Sequence, residues 1–236
     1  MRFTHLLRHA FGAAALTFVS VAQSATPGVV QGPMGWYEDI RFYSPATADV
    51  PVRQGTAITL STVIGDFSAM RFQTATQGAL MVDSWDRTAQ WSTPIVQTLD
   101  PTYRGLGAGT NGIVDSNESM HLMFNSGAAS RSVDLVGLEL FFAVAPTNIT
   151  LMFGELGKGL SLDQATLSTA GGLTRAQWWF AQPYTSSMGE FTLQVGQGSY
   201  YLGSVQVAAV PEPESIALLL AGVAVVGATT LRRRSA

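Results

Sequence analysis

Residues 56–64 read Thr56-Ala57-Ile58-Thr59-Leu60-Ser61-Thr62-Val63-Ile64. The run is rich in β-branched residues, and Ile58 and Leu60 alternate with Thr59 and Ser61. A period of two places the apolar side chains on one face of a strand and the polar side chains on the other. β-branched side chains also pack better on a pleated sheet than in a helix. The segment therefore predicts a β-strand with one face toward a core.

Similar runs recur along the chain. In one of them, Met120, Leu122 and Phe124 occupy alternate positions. The other predicted strands cover residues 67–72, 79–85, 133–144, 148–153, 177–181, 191–195 and 200–207. The run at 133–144 is long and mostly apolar, which predicts either one strand buried on both faces or two strands broken near Gly137.

The segments between these runs are short and rich in Gly, Asn, Pro and Ser. Helical periodicity is nearly absent, and residues 161–168 predict one turn of helix at most. Residues 105–112 are expected to form a Gly-rich loop, which lacks the Gly-Lys-Ser/Thr ending of a phosphate-binding loop. Short strands separated by turn residues predict an all-β fold, an antiparallel β-sandwich with a jelly-roll-like arrangement.

The composition excludes several classes of protein. The chain has 236 residues, of which 12% are charged and 47% hydrophobic, with no cysteine and a formal net charge of -3. It is too apolar for a disordered protein. It has too few Lys and Arg residues for a basic face that would bind nucleic acid. Without cysteine the chain can form no disulfide, no thiolate metal site and no cysteine nucleophile.

The N-terminus is typical of a secretory signal peptide. Arg2 and Arg8 precede an apolar run at residues 10–22, and small residues follow at the positions that signal peptidase reads. The run is shorter than the roughly 20 residues that span a bilayer. We therefore expect a signal helix at residues 1–24, export by the Sec machinery and cleavage by signal peptidase. The predicted extracellular domain then covers residues 25–209.

The C-terminal segment, residues 210–236, has three parts in a fixed order. A Pro-Glu-Pro tripeptide comes first, an uncharged run at residues 216–231 follows, and three arginines come near the end. At about 1.5 Å per residue, the run predicts a helix that nearly spans the hydrocarbon core. The arginines favour the cytoplasmic side of the membrane. The segment therefore predicts a transmembrane helix in the inner membrane, with the body on the outside.

This C-terminus resembles the PEP-CTERM sorting signal of Gram-negative bacteria. The resemblance is carried by Val210-Pro211-Glu212-Pro213, Leu218-Leu219-Leu220-Ala221-Gly222 and Arg232-Arg233-Arg234. It implies processing by an exosortase, a membrane-embedded cysteine protease-transpeptidase, in a host that usually makes exopolysaccharide. The tripeptide and the three arginines would then be recognition residues for that enzyme, not catalytic residues of this chain.

The body carries a second resemblance, to a pattern of PEP-CTERM surface domains. The glycines at residues 105 and 107 precede Asp115, Glu118 and a strand that ends in Phe124. This resemblance implies a β-sandwich body and assigns no chemistry to it.

Few groups in the body could support catalysis. His121 is its only histidine, and we expect a solvent-facing or edge-packed strand residue there, since no second histidine could complete a site. Asp83 and Asp86 flank a tryptophan, and Glu38 and Asp39 follow a Trp-Tyr pair. A glycoside hydrolase would need two carboxyl groups about 5 to 10 Å apart in one cleft. We assign no catalytic residue and expect a protein that is not an enzyme.

A calcium site is one alternative for residues 115–119. Asp115, Asn117 and Glu118 place oxygen side chains on one loop, and calcium needs six to eight oxygen ligands. Such a loop would lack the bidentate glutamate that ends an EF-hand loop, because Ser126 stands at that position. The other interpretation is an Asx turn that leads into a strand. No other cofactor is expected.

Neighbouring aromatic residues are candidates for ligand binding. In a strand Trp178 and Trp179 would point to opposite faces, so one of them would be exposed if the other were buried. The same holds for Tyr200 and Tyr201. An exposed ring on a sheet face can stack on a sugar or pack against a protein. Trp178, Trp179 and Tyr201 are therefore the candidate ligand-binding residues, with a core position as the alternative for each.

These observations together predict an exported, non-enzymatic protein of the cell surface, outer envelope or extracellular matrix. We expect sorting and processing by an exosortase, and association with exopolysaccharide or biofilm. Two alternatives are a carbohydrate-binding module for exopolysaccharide and, less favoured, a secreted glycoside hydrolase that uses carboxylates.

Overall fold

The computed structural model describes residues 29–209 apart from 33–34, 44–51, 63–64, 76–77, 100–103, 127–128 and 131, and it also describes Ala221. The predicted signal helix, residues 211–213 and residues 232–234 lie outside the described residues, as does the predicted membrane helix apart from Ala221. Within the described part, no helix is both long and apolar enough to cross a membrane. The all-β prediction is confirmed.

Nine of the described strands form the first sheet. Numbered in chain order, they are β1 (Val29–Gly32), β2 (Gly35–Arg41), β7 (Ile95–Thr98), β8 (Gly105–Ala108), β9 (Val114–Asp115), β12 (Val133–Phe142), β15 (Thr166–Ala170), β16 (Leu173–Ser186) and β18 (Ser199–Ala209). Their order is β1-β2-β18-β12-β16-β15, with β8 and β9 also paired to β18 and β7 paired to β8. Every pairing is antiparallel.

The second sheet also contains nine of the described strands. They are β3 (Thr56–Thr62), β4 (Gly65–Gln73), β5 (Ala79–Asp86), β6 (Trp91–Thr93), β10 (Glu118–Ser126), β11 (Ala129–Ser130), β13 (Ile149–Phe153), β14 (Leu156–Leu160) and β17 (Glu190–Gln194). Their order is β14-β13-β17-β10-β5-β4-β3, with β11 on β10 and β6 on β5. These pairings are antiparallel too.

The core lies between the two sheets. Phe42, which follows β2, meets Phe72 of β4 edge to face, with ring centroids 4.9 Å apart. The hydroxyl of Tyr200 in β18 donates to the carbonyl of Leu193 in β17 at 3.1 Å. Burying a polar hydroxyl is favourable only with such a partner. Contacts of this kind between the sheets make the body an antiparallel β-sandwich, as predicted.

The alternation in the sequence is reproduced in the strands. In β10, Met120, Leu122 and Phe124 are at most 1% exposed, and His121 and Met123 lie on the other face, partly exposed. The quoted run forms β3 up to Thr62. The two faces of β10 therefore meet the core and the outer surface. In β3 the prediction of a core-facing side is wrong, because Leu60 pairs with Phe67 on the outer face and no described residue of the strand is buried.

The long apolar run forms one strand, β12, which is buried along almost its whole length. Its pairing register shifts between Leu135 and Gly137, so the glycine marks a bulge, not a break. A Cβ atom at Gly137 would lie 2.6 Å from the side-chain oxygen of Gln206. Of the two alternatives, the buried single strand is the one observed.

The predictions for two shorter segments had different outcomes. The helical turn expected at residues 161–168 is a 3₁₀ turn at Leu162–Gln164, which begins with Ser161 accepting the amide N–H of Asp163. The expected Gly-rich loop at residues 105–112 is wrong in its first half, because Gly105–Ala108 is the buried strand β8. Glycine is disfavoured in strands, but close contact with neighbouring backbone requires it here.

Candidate functional site

A groove lies on the outer face of the second sheet, where β4 separates from β5. The two strands pair as far as Ala69 and Asp83, and beyond that point β6 pairs with β5 instead, with Trp85 opposite Ser92. The amide N–H of Ser68 donates to Ser92 Oγ at 3.2 Å, which links β4 to β6. The change of partner opens a space beside the Trp85 ring.

We call this space the Trp85 groove. Its volume is about 360 Å³, within the range of small-molecule sites. Its lining includes the apolar residues Leu60, Phe67, Trp85 and Met123 and the polar residues Asp83, Ser92 and His121. An adjoining hollow shares Phe67, Trp85 and Ser92 and adds Asp66, Gln90 and Trp91. Five strands, β3, β4, β5, β6 and β10, therefore contribute side chains to the groove. Odd-numbered positions of β4, β5 and β10 face outward there.

Aromatic rings form one wall of the groove. The rings of Phe67 and Trp85 are tilted by 46°, with centroids 5.6 Å apart. Trp91 in the adjoining hollow is 64% exposed. A single exposed ring is ordinary, but Phe67, Trp85 and Trp91 lie together, and contiguous apolar surface of this kind is typical of binding sites.

A chain of hydrogen bonds borders the groove. His121 Nδ1 lies 2.9 Å from Asp83 Oδ1, and His121 Nε2 lies 3.1 Å from Ser119 Oγ. The strand register explains both contacts, because Asp83 is directly opposite His121 and Ser119 is two residues before it on the same face. With Nδ1–H donated to Asp83, Nε2 accepts the hydroxyl proton of Ser119.

The order Ser119, His121, Asp83 is that of a nucleophile, a base and an orienting carboxylate. Ser119 is only 4% exposed, however, and its hydroxyl also lies 3.5 Å from the carbonyl oxygen of Trp85. A nucleophile must reach the reacting carbon of its substrate. The chain of hydrogen bonds therefore fixes the imidazole of His121, which is 34% exposed, as a polar contact at the groove.

The four carboxylates considered for glycoside hydrolysis do not meet in one cleft. Asp83 borders the groove, whereas Asp86 accepts the amide N–H groups of Thr88 and Ala89 in the turn after β5. Glu38 and Asp39 belong to β2, in the other sheet. The paired carboxyl groups that hydrolysis requires are thus not formed by these residues.

Glu38 and Asp39 are buried and hydrogen-bonded. Glu38 accepts from the amide N–H of Ala75 at 2.5 Å and pairs with Arg53. Asp39 pairs with Arg41 at 3.0 Å and accepts the side-chain amide of Gln206 at 2.8 Å. These partners give the two carboxylates a structural role in the first sheet.

A second buried ion pair lies on the outer face of the first sheet. Arg175 donates through both Nε and an Nη nitrogen to Glu139, whose carboxylate is almost completely buried. Burial raises the pKa of Glu139, and the neighbouring Arg175 opposes that shift. Burial also raises the pKa of Tyr43, with the Glu139 charge adding to it.

The proposed calcium loop is an Asx turn. Asp115 Oδ1 accepts the amide N–H of Asn117 at 2.8 Å, and Glu118 Oε2 accepts that of Asp115 at 3.2 Å. Burial raises the pKa of Glu118, the hydrogen bond from Asp115 lowers it, and the Asp115 charge raises it. Within the described residues, no group of three His, Cys, Asp or Glu side chains is placed to hold a metal ion.

Trp178 and Trp179 point to opposite faces of β16, as their sequence positions required. Trp178 is 1% exposed, and its indole N–H donates to the carbonyl of Ser161 at 2.9 Å. Its ring is therefore in the core and is not offered to a ligand. Trp179 is half-buried and packs edge to face on Tyr37, with centroids 5.1 Å apart. Of the pair, only Trp179 reaches the surface.

Tyr200 and Tyr201 also divide between the two faces of their strand. Tyr200 lies in the core, and burial raises its pKa. Tyr201 is 9% exposed and packs with Tyr43 and Phe141, and Arg104 lies over its ring, 5.8 Å from the centroid. Tyr201 thus offers little surface to a ligand.

Sequence patterns alone did not identify Phe67, Trp91 and Ser119 as neighbours of Trp85. Each lies on a different part of the chain, and only the strand register brings them together. The available signal was the odd-numbered spacing of Asp83 and Trp85 in one run and of Ser119 and His121 in another.

The C-terminal segment was compared with known proteins. The model of the PEP-CTERM protein-sorting motif matches residues 209–234. No curated protein matches the chain, and no solved structure matches it either. The match covers the Pro-Glu-Pro tripeptide, the uncharged run and the three arginines. The chain is therefore a PEP-CTERM sorting-signal protein, an exported protein that an exosortase sorts.

Proposed function

We propose that this protein is a non-enzymatic component of the cell surface or extracellular matrix that associates with exopolysaccharide. The exosortase would release or transfer the β-sandwich body after export. The observation that carries the proposal is the sorting motif at residues 209–234, which begins where strand β18 ends at Ala209. The described sandwich therefore lies directly before the sorting signal in the sequence.

The surface chemistry of the body supports association with a saccharide. The Trp85 groove combines exposed aromatic surface with hydroxyl, imidazole and carboxylate groups. Saccharides present both C–H faces, which pack on aromatic rings, and hydroxyls, which need hydrogen-bond partners. Charged residues make up only 12% of the chain, so Ser, Thr, Gln and Asn supply much of its polar surface.

A binding role without catalysis agrees with the position of the ionisable groups. Asp83 is the carboxylate that borders the Trp85 groove, and it is held by His121 at 2.9 Å. Ser119 is buried, so it is poorly placed as a nucleophile. These contacts favour a rigid binding surface over the paired acid and base of a hydrolase.

A distribution experiment tests the proposal. The protein is expressed in an exosortase-containing Gram-negative host and in a derivative that makes no exopolysaccharide. We expect the mature protein in the matrix fraction of the first strain and in the medium of the second, measured by immunoblot. An unrelated exported protein controls for lysis. The same distribution in both strains would contradict association with exopolysaccharide.

A second candidate function is a carbohydrate-binding module that itself recognises the polysaccharide. The Trp85 groove is the observation that favours it, since Trp178 is in the core. Trp179 of β16 supplies another aromatic surface, in a hollow of about 480 Å³ with Lys158, Gln164 and Tyr184. Substituting Trp85 and Trp179 separately distinguishes the two surfaces.

A further inference from the structure

The described lining of the Trp85 groove contains acidic groups, uncharged groups and the imidazole of His121, but no Lys or Arg. Among the described residues that line the groove and the adjoining hollow, Asp66 and Asp83 are acidic, and none is Lys or Arg. Arg71 is on the same face of β4, but it pairs in register with Met81 and does not line the groove. A ligand with carboxylate or sulfate groups would therefore meet like charge without a counterion.

The polar groups are suited to hydroxyls. One carboxylate oxygen of Asp83 contacts Nδ1 of His121, and the Asp83 side chain is 18% exposed. A carboxylate has about four acceptor sites, so the other oxygen can accept from a ligand hydroxyl. Ser92 Oγ accepts from the amide N–H of Ser68 at 3.2 Å and donates to the Ser68 carbonyl at 3.3 Å, so its second acceptor site can receive a ligand hydroxyl.

The imidazole of His121 is held in one orientation. Contacts at 2.9 Å to Asp83 and 3.1 Å to Ser119 occupy both ring nitrogens, so the ring does not have to be ordered when a ligand binds. A site whose side chains are already fixed loses less entropy on binding than a mobile one. The groove is therefore preorganised next to the Phe67 and Trp85 rings, which can receive the C–H face of a sugar.

We propose that the Trp85 groove binds sugar units of an uncharged saccharide, with one sugar ring on Trp85 and its hydroxyls on Asp83 and Ser92. This inference rests on the proposed association with exopolysaccharide and specifies the class of sugar. The saccharide is neutral because the described lining offers acceptors and aromatic faces but no Lys or Arg to pair with an acidic unit, and the imidazole of His121 already faces Asp83.

The test uses the full-length protein in mild detergent. Neutral hexose oligosaccharides of gluco, manno and galacto type are titrated, and uronate oligosaccharides of the same length are titrated in parallel, by calorimetry. We expect binding of at least one neutral series and at least tenfold weaker binding of the uronates. Equal or tighter binding of the uronates overturns the proposal.

Variants locate the site. Trp85→Ala should weaken neutral-saccharide binding by about tenfold or more, because the stacking ring is lost. Trp85→Met keeps a large apolar side chain but lacks the ring, and it should also lose binding. It serves as the second variant in case Trp85→Ala does not fold. Trp36→Ala is the matched control, since Trp36 is 60% exposed on β2 of the other sheet. Unchanged binding by both Trp85 variants overturns the proposal.

The result of these binding measurements is independent of the result of the distribution experiment. If no neutral oligosaccharide binds but the protein still requires exopolysaccharide for retention, the proposal for this groove is wrong and the proposed function stands. If neutral saccharides bind at Trp85 but retention is independent of exopolysaccharide, the groove proposal stands and the proposed function is wrong.

Discussion

At the residue scale, Asp83 and Ser119 determine how His121 presents its ring. The three residues lie in register on the outer face of β5 and β10, so ordinary strand geometry forms the hydrogen-bonded chain. The sequence predicts that His121 faces away from Leu122 and Phe124, and the structure confirms this. Its partner Asp83 was not predictable, because strand register between residues 38 positions apart depends on the whole sheet.

The calcium candidates show a similar limit at the residue scale. The spacing of Asp115, Asn117 and Glu118 fits oxygen ligands and an Asx turn equally well. The structure shows the turn, in which backbone N–H groups occupy the carboxylate oxygens. The local sequence allows both interpretations, but it does not show that the Glu118 side chain is buried.

Glu118 gives a prediction about pH. Burial raises the pKa of Glu118 in the folded state above that of an ordinary glutamate, which approximates the unfolded chain. The folded protein therefore binds this proton more tightly than the unfolded chain does. The stabilisation that results is fully present at pH values below the pKa of the unfolded state, and it is lost as the pH rises through the pKa of the folded state. Thermal melts of Glu118→Gln should lose less stability than the wild type between about pH 4.5 and pH 7.

The control for this melt series is Glu155→Gln, which removes one negative charge at an exposed turn. Glu139 is also buried, but it is present in all three proteins and cancels in the comparison. If the melting temperatures of the wild type and Glu118→Gln change in parallel with pH, burial of this carboxyl does not contribute to the pH dependence of stability.

At the element scale, each of the nine predicted runs overlaps a strand, whereas the other nine described strands and all the pairings were not predicted. The periodic runs correctly place β3, β4, β5, β10, β13 and β17, and in β10 the alternation also identifies the buried face. Strand β8 was missed, since a Gly-Leu-Gly-Ala segment carries the signal of a turn. Its assignment depends on contacts with distant parts of the chain.

The glycines of β8 and the following turn have a packing role that can be tested. A Cβ atom at Gly107 would overlap the backbone carbonyl of Gly112. Because backbone cannot move aside as a side chain can, Gly107→Ala should lower the free energy of unfolding by about 1–3 kcal/mol. Urea denaturation measures this difference.

Gly159→Ala is the matched control for that substitution. A Cβ atom there would have no neighbour within 4 Å, and Gly159 lies in strand β14. We expect its free energy of unfolding to stay within about 0.5 kcal/mol of the wild type. Equal stability of the two alanine variants would show that the close approach at Gly107 is not rigid.

At the scale of the whole molecule, the sorting signal is the feature that sequence identifies most completely. Its tripeptide, uncharged run and arginines are contiguous, so recognition needs no knowledge of the fold. The binding surface of the body is the opposite case, because its aromatic and polar groups come from four separate strands. A low content of charged residues limits the groups available for catalysis but does not say which ligand is bound.

The most direct measurement is the intact mass of the mature protein from an exosortase-containing host. The wild type is compared with a variant in which Pro211, Glu212 and Pro213 are all replaced by alanine. We predict that the wild-type mass lacks Arg232, Arg233 and Arg234 and that the variant, cleaved only at its N-terminus, retains them. Identical C-termini in the two mature proteins would contradict sorting through this signal.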